Sequence, residues 1–340
     1  MNVSGGGWAA AISCAVSFGA VGCGASSTAP GAAEGGALPV GAVGDAGGSV
    51  ARDGGAFEAG AVAPDAATSR DSSGLFSCTG KAGVRGDVTV SLSSGGLDRT
   101  SLLHVPGSHD PARGAMLILN FHGYPSNGAQ QAQLTRMNDA SDAKNFLVAY
   151  PEGSSSGWNA GSCCISTAVD DVKFVRDLLV AIGSRYCIDP SRIYAAGMSN
   201  GGDMTHRLAC EMSETFAAFA PVAGVLDVPT ATCHPPTAVS ILDFHGSKDT
   251  LAPYAGALAA VAHWRAEEGC ADAGVTTFAK GDATCTECRG ARGASVGFCT
   301  IDGGGHTWPG GLDVPLLGKT STDLDANDAM ISFFLSHPKG

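Results

Sequence analysis

The run "YAAGMSNGG", from Tyr194 to Gly202, is the first place where this chain could do chemistry. It sets a serine between small residues. Gly197-Met198-Ser199-Asn200-Gly201 fits G-x-S-x-G, a pattern that acquires meaning when a strand precedes it and a helix follows. An apolar run lies before it and a helical pattern after it. Such a corner exposes Ser199 and turns the first N–H groups of the helix, beginning with that of Asn200, toward any negative charge that develops beside it. The bland alternative is an ordinary glycine-rich turn.

A serine hydroxyl is a poor nucleophile without a base. In hydrolases with a G-x-S-x-G elbow the partners follow in the order Ser, Asp or Glu, His. Asp249 in "HGSKDTLAPY" and His306 in "DGGGHTWPG" stand in that order, each just beyond an apolar run. His306 would take the serine proton and return it to the leaving group; Asp249 would fix the imidazole tautomer and stabilise the imidazolium. Their plainer readings are a turn or cap residue and a surface-loop histidine. Acyl transfer also needs a second N–H donor for the oxyanion. "NFHGYPSNG" follows an early apolar run, and Gly123 would let the backbone turn inward and present the N–H of Tyr124.

These residues need elements to carry them. Strands are expected at 87–93, 101–106, 115–121, 146–150, 192–196, 217–223, 239–244 and 294–301. The run "MLILNF" shows no polar alternation, as a strand covered on both faces should not. Helices are expected at 170–186, 201–211, 253–268 and 323–336. Acidic Asp170 and Asp171 suit the first helix N-terminus, and Asp189-Pro190 reads as a turn after it. Strands alternating with helices of this length define an α/β domain with a mainly parallel sheet. "NFHG" and "DFHG" both fall at strand ends, the edge where open α/β sheets build their sites.

Upstream, Trp8 to Gly22 is apolar, too short to span a bilayer as a helix, and reads as a signal-peptide core although no Lys or Arg precedes Arg52. "AVGC" resembles a bacterial lipoprotein cleavage box, with Cys23 as the lipidated residue. Residues 24–74 are Ala/Gly/Ser/Pro with scattered Asp and lack the apolar periodicity needed to bury a face. The expected organisation is a leader over 1–23, a tether over 24–74 and one globular body over 75–340.

The formal net charge of −12 argues against nucleic acid or an anionic membrane surface as a partner. Membrane contact is expected only through the lipid at Cys23. Of twelve cysteines, ten lie in the body, which points to disulfides and an oxidising compartment. Cys285 and Cys288 form a CxxC with no second pair to complete a zinc site. Adjacent Cys163 and Cys164 are expected to serve different partners. Cys210 and Cys233 are expected to pair, tying the helix after the serine to the next strand.

Taken together, "HGYPSNG", "YPEGSSSGWN", "DDVKFVRDLL", "IDPSRIYAAGMSNGG", "FAPVAG", "DFHGSKDTLAPY" and "GGGHTWPG" resemble the secreted polyhydroxybutyrate-depolymerase-like esterases, which include feruloyl and acetylxylan esterases of carbohydrate esterase family 1. The likeness covers roughly residues 80–337. It implies an α/β-hydrolase fold, a carboxylic ester as substrate, Ser199, Asp249 and His306 as triad, no metal and no diffusible cofactor. Trp158 and Trp308 match positions near the family's cleft, which would make them substrate-facing; plain core is the alternative. With export, a tether and aromatic surface, the expected substrate is a polymer-linked ester. A hydroxycinnamoyl group on plant polysaccharide is favoured over polyhydroxybutyrate or acetylxylan. A surface binding lipoprotein without activity is the competing reading of another class.

Overall fold

The computed structural model describes residues 77–81, 83–165 and 168–340. The expected leader, Cys23 and the tether lie outside them. Ten strands form one sheet: β1 (Gly86–Ser94), β2 (Leu97–Val105), β3 (Ala115–Phe121), β4 (Leu147–Pro151), β5 (Ile188–Met198), β6 (Ala218–Val222), β7 (Ser240–Gly246), β8 (Val275–Lys280), β9 (Ala283–Arg289) and β10 (Ser295–Ile301). Their spatial order is β1-β2-β4-β3-β5-β6-β7-β10-β9-β8. The six from β4 to β10 run parallel, and each flank continues antiparallel. This is an α/β-hydrolase fold.

Helices cover both faces: α1 (Gly128–Thr135), α2 (Met137–Lys144), α3 (Asp171–Arg185), α4 (Asn200–Glu211), α5 (Tyr254–Glu268) and α6 (Ala326–Ser336). The pleat explains the two cores. Along β3, Leu117, Leu119 and Phe121 face the α3, α4 and α5 side, and Met116 and Ile118 face the α1, α2 and α6 side. With every β3 residue buried, no polar alternation was possible.

Four elements go beyond the sequence reading. α1 and α2 are eight residues each and mostly polar, and their buried hydrophobic side chains are Leu134 and Met137. β8 and β9 are an antiparallel extension whose side chains are largely exposed or cysteine. Asp189-Pro190 lies inside β5 rather than before it. The turn survives as a register shift against β3, held by Ser191 N–H and Arg192 Nε–H donating to the Asp189 carboxylate.

Five disulfides staple the body. Cys210–Cys233 pairs as expected, and Cys78–Cys187, Cys270–Cys288 and Cys285–Cys299 join it. Cys163 and Cys164 bond to each other, contrary to the expectation of separate partners. Both lie on an exposed loop, and the other eight described cysteines pair among themselves. Cys285 and Cys288 are each committed to a different sulfur, so the CxxC is no metal motif.

Candidate active site

Ser199 ends β5 and caps α4. Its backbone takes φ 57° and ψ −127°, a region that L-residues avoid and that costs of order 1–3 kcal/mol. The glycines around it permit the corner. A Cβ on Gly197 would lie 2.3 Å from the Gly201 carbonyl oxygen, and one on Gly201 would lie 2.2 Å from that of Phe121. The Ser199 side chain makes no capping hydrogen bond, so its oxygen is left for chemistry.

Asp249 and His306 come from the loops after β7 and β10, neighbouring strands of the sheet. His306 Nδ1–H donates to Asp249 Oδ2 at 2.7 Å. The other oxygen, Oδ1, accepts the N–H groups of Leu251 and Ala252, both at 2.9 Å. Burial alone would raise the Asp249 carboxyl. The hydrogen bond and charge of His306, with Ala252 N–H and the charge of His245, outweigh that, and the carboxyl is held below its ordinary range. His245 Nε2–H donates to Ala252 O at 2.8 Å, which braces the aspartate loop. The two loops pack backbone to backbone: a Cβ on Gly246 would sit 2.4 Å from the carbonyl oxygens of Gly304 and Gly305. With Nδ1 engaged by Asp249, Nε2 is the nitrogen of His306 left to accept a proton. Ser199, Asp249 and His306 all follow the carboxyl ends of parallel strands, on one edge of the sheet.

Tyr124 lies on the loop after β3, half-exposed at 47%. Gly123 lets this loop close on the serine, since a Cβ there would come 3.1 Å from Ser199 Cβ. Tyr124 and Asn200 thus adjoin the residues at the corner from two sides, the loop after β3 and the start of α4.

Trp158 and Trp308 are placed otherwise than the resemblance implied. Both are 0% exposed. Trp158 packs edge-on to Phe121 and stacks on Phe174, and Trp308 Nε1–H donates to Asn327 Oδ1 at 3.2 Å. Neither offers a ring face to a ligand, so the aromatic surface expected of them is corrected to core. The exposed large apolar residues on these loops are instead Tyr124, Leu251, Leu312 and Leu316. Leu251 follows Asp249 closely, and Leu316 adjoins Leu317, whose carbonyl accepts the His306 N–H.

Several residues were not singled out from sequence. His122 is fully buried; loss of solvent pushes it down to about 4, with Arg99 adding to the effect and the Gly123 hydrogen bond opposing it. Asp203, on α4, is pushed up to about 8 by burial, against the Val225 N–H and with the charges of Asp227 and Asp243. Asp171 does more than the helix-dipole role that the sequence suggests. It forms a buried ion pair with Arg99 at 2.7 Å and accepts the N–H of Asn159, while Asp170 supplies the cap. The only signal for His122 was its place in "NFHG". Nothing marked Asp203 or Arg99.

The fold is that of an α/β-hydrolase, and the relatives below set the chain in the esterase class. The chain belongs to the esterase PHB depolymerase family, whose model matches residues 101–272. It is 30% identical over 275 residues to the putative esterase NocK of Nocardia uniformis, covering 71% of this chain and 80% of that protein. It is 31% identical over 231 residues to feruloyl esterase B of Piromyces equi, covering 61% of this chain and 42% of that longer protein. Among solved structures, the acetyl xylan esterase from Aspergillus awamori superposes with a TM-score of 0.56 at 16% identity, over 72% of this chain and 98% of that one. That likeness is one of fold.

Proposed function

We propose that this chain is a serine carboxylic-ester hydrolase acting on polymer-linked esters, with hydroxycinnamoyl esters of plant cell-wall polysaccharide as the preferred class. Ser199 Oγ attacks the ester carbonyl while His306 Nε2 takes its proton, and Asp249 holds the imidazolium that results. The carbonyl oxygen becomes an oxyanion between the N–H groups of Tyr124 and Asn200. The tetrahedral intermediate collapses, His306 returns the proton to the leaving alcohol, and water repeats the sequence to release the acid. The observation that carries this reading is the 2.7 Å Asp249–His306 hydrogen bond on the same sheet edge as the strained Ser199 corner. The preferred acyl group rests on the relatives named as feruloyl esterases and on exposed Tyr124, whose ring can stack on another. Aliphatic Leu251 and Leu316 favour a polyester as the second reading. The disulfides suit an oxidising compartment. Export with a lipid at Cys23 completes the proposal, and the mass of the mature N-terminal residue tests that anchor.

The test is a fluorophosphonate probe followed by an ester panel on the purified protein. Wild type should take one label, at Ser199, and Ser199→Ala none, with unchanged melting. Methyl ferulate and feruloylated arabinoxylan should be cleaved faster than polyhydroxybutyrate or acetylxylan. An unlabelled, folded wild type would leave a binding protein in place of an enzyme. Clearance of polyhydroxybutyrate with ferulate esters untouched would replace the feruloyl reading with a depolymerase.

A further inference from the structure

Trp158 sits in the β4–α3 loop and touches both elements that flank Ser199. Its indole Nε1–H donates to the carbonyl of His122 at 2.8 Å, two residues before Tyr124. Its backbone N–H donates to Asn200 Oδ1 at 2.7 Å, and Asn200 Nδ2 returns a bond to the Trp158 carbonyl at 3.2 Å. One residue thus grips the loop that carries Tyr124 and, by a two-bond clamp, the side chain of Asn200. We propose that Trp158 is a positioning residue that holds the two oxyanion donors in register; this rests on the assignment of those donors in the reading above.

The aim of each donor follows from covalent geometry. His122 Nδ1–H donates to the Gly123 carbonyl at 2.8 Å, and His122 Nε2 accepts the Gly153 N–H at 2.9 Å. These partners fix the tautomer with the proton on Nδ1. A trans peptide is planar, so the Gly123 carbonyl and the Tyr124 N–H point in opposite directions. Holding that carbonyl against the histidine turns the Tyr124 N–H away from it, on the loop that closes over Ser199. The Trp158 indole, with its ring 4.9 Å from the His122 ring, secures the backbone from which the histidine springs. On the other side, Asn200 cannot tilt without breaking two bonds to Trp158.

Trp158 is itself anchored. The next N–H, of Asn159, donates to Asp171 Oδ2 at 2.8 Å, and Asp171 is paired with Arg99. The Arg99 guanidinium lies 3.8 Å from the centre of the Phe174 ring, against which Trp158 stacks. Gly157 leaves the space for this meeting. A Cβ there would lie 2.8 Å from Tyr124 Cδ2 and 3.2 Å from Asn200 Oδ1. A tryptophan that merely filled the core would need no polar contacts to two separate elements of the site. Misplacement of a donor by about 1 Å costs of order 100-fold in rate, so the clamp matters for the chemical step.

Two variants test this. Trp158→Phe keeps an aromatic ring and both backbone bonds to Asn200, and removes the Nε1–H together with the pyrrole part of the indole. Asn200→Ala keeps the backbone N–H donor and removes the side-chain clamp. The readouts are kcat and KM on a soluble 4-nitrophenyl ester, and affinity for phenylboronic acid. Boron accepts the electron pair of the serine oxygen and becomes a tetrahedral anion, a probe of the oxyanion site. Each variant should lower kcat by about 10- to 100-fold with KM within about twofold, and should weaken the boronic acid by the factor lost from kcat. Trp158→Phe cuts the grip on the Tyr124 loop and Asn200→Ala the clamp on α4, so the double variant should lose more than either single one. Wild-type kcat and boronic-acid affinity in either folded variant, with Ser199→Ala inactive, would overturn the positioning role alone. Activity surviving in Ser199→Ala would instead overturn the site assignment on which it rests.

Discussion

The two halves of the site are built by opposite electrostatic means. The half around Ser199 holds His122 and Asp203 neutral by burial and pairs its buried charges with each other. His122 is pushed down to about 4, Asp203 is pushed up to about 8, and the ion pair of Arg99 and Asp171 sums to zero. Its shape comes from glycines whose Cβ atoms would strike backbone, and from amide hydrogen bonds around Trp158. The half around His306 does the reverse. Asp249 is buried and held ionised by three donors. The difference has a chemical meaning. In the proposed mechanism the serine half receives a new negative charge during acyl transfer, so a standing charge there would add to or oppose it at every step. The histidine half would then hold a positive charge for as long as the imidazolium lasts, and a fixed carboxylate suits that.

The largest break in this contrast removes the charge from the charged half. Asp249→Asn preserves the size of the side chain, but its NH2 cannot accept the His306 Nδ1–H. The imidazole then turns to the wrong tautomer, and kcat should fall about 10,000-fold with melting little changed. A loss below about tenfold would show that Asp249 does not set the tautomer of His306. The next break strikes the uncharged half by shape. Gly201→Ala puts a Cβ 2.2 Å from the Phe121 carbonyl oxygen and 2.6 Å from that of His122. Both are backbone atoms and cannot swing away, so α4 must shift and carry Ser199 and Asn200 with it. Activity should drop by about 100-fold and fluorophosphonate labelling should slow. Unchanged labelling would mean that the corner tolerates the shift.

The two halves were also unequally visible in sequence. The serine half announced its backbone: G-x-S-x-G demands a strand, a strained residue and a helix, and β5, Ser199 and α4 supply them. Its packing stayed hidden, because the bonds of Trp158 join residues far apart in the chain through main-chain atoms that have no letter. The resemblance brought Trp158 to notice and gave it the wrong surface. Asp249 and His306 could be named from order and flanking glycines, and their contact is what folding adds. Elsewhere the parallel strands were readable, since burial on both faces demands continuous apolar runs. β8 and β9 were not, because their order comes from antiparallel pairing and two disulfides rather than from an apolar face. Cys285 lies directly opposite Cys299 in that ladder. α1 and α2 were too short and polar to show a helical period.

The smallest expected effect on rate comes from Asp203, and it tests whether the serine half is truly kept neutral. Asp203 Oδ1 accepts the Val225 N–H at 2.7 Å, and the charges of Asp227 and Asp243 reinforce burial in opposing its ionisation. Its folded value of about 8 lies above the ordinary 3.8. Between these values the unfolded chain releases a proton that the folded chain keeps, so the group lowers stability as pH rises, by about 1.4 kcal/mol per pH unit. His122 acts with the opposite sign. Its folded value of about 4 lies below the ordinary 6.5, so it lowers stability as pH falls through that interval. The two slopes oppose each other between about pH 4 and 6.5, and above that Asp203 acts alone. Asp203→Asn keeps the oxygen that accepts the Val225 N–H and cannot ionise. Urea unfolding of both proteins at pH 6.5 and pH 8 should show the variant gaining about 2 kcal/mol on the wild type across that step, with kcat at pH 6.5 nearly equal. A difference between the two that does not change with pH would show Asp203 to be ionised in the fold, and the contrast between the halves would fail at that residue.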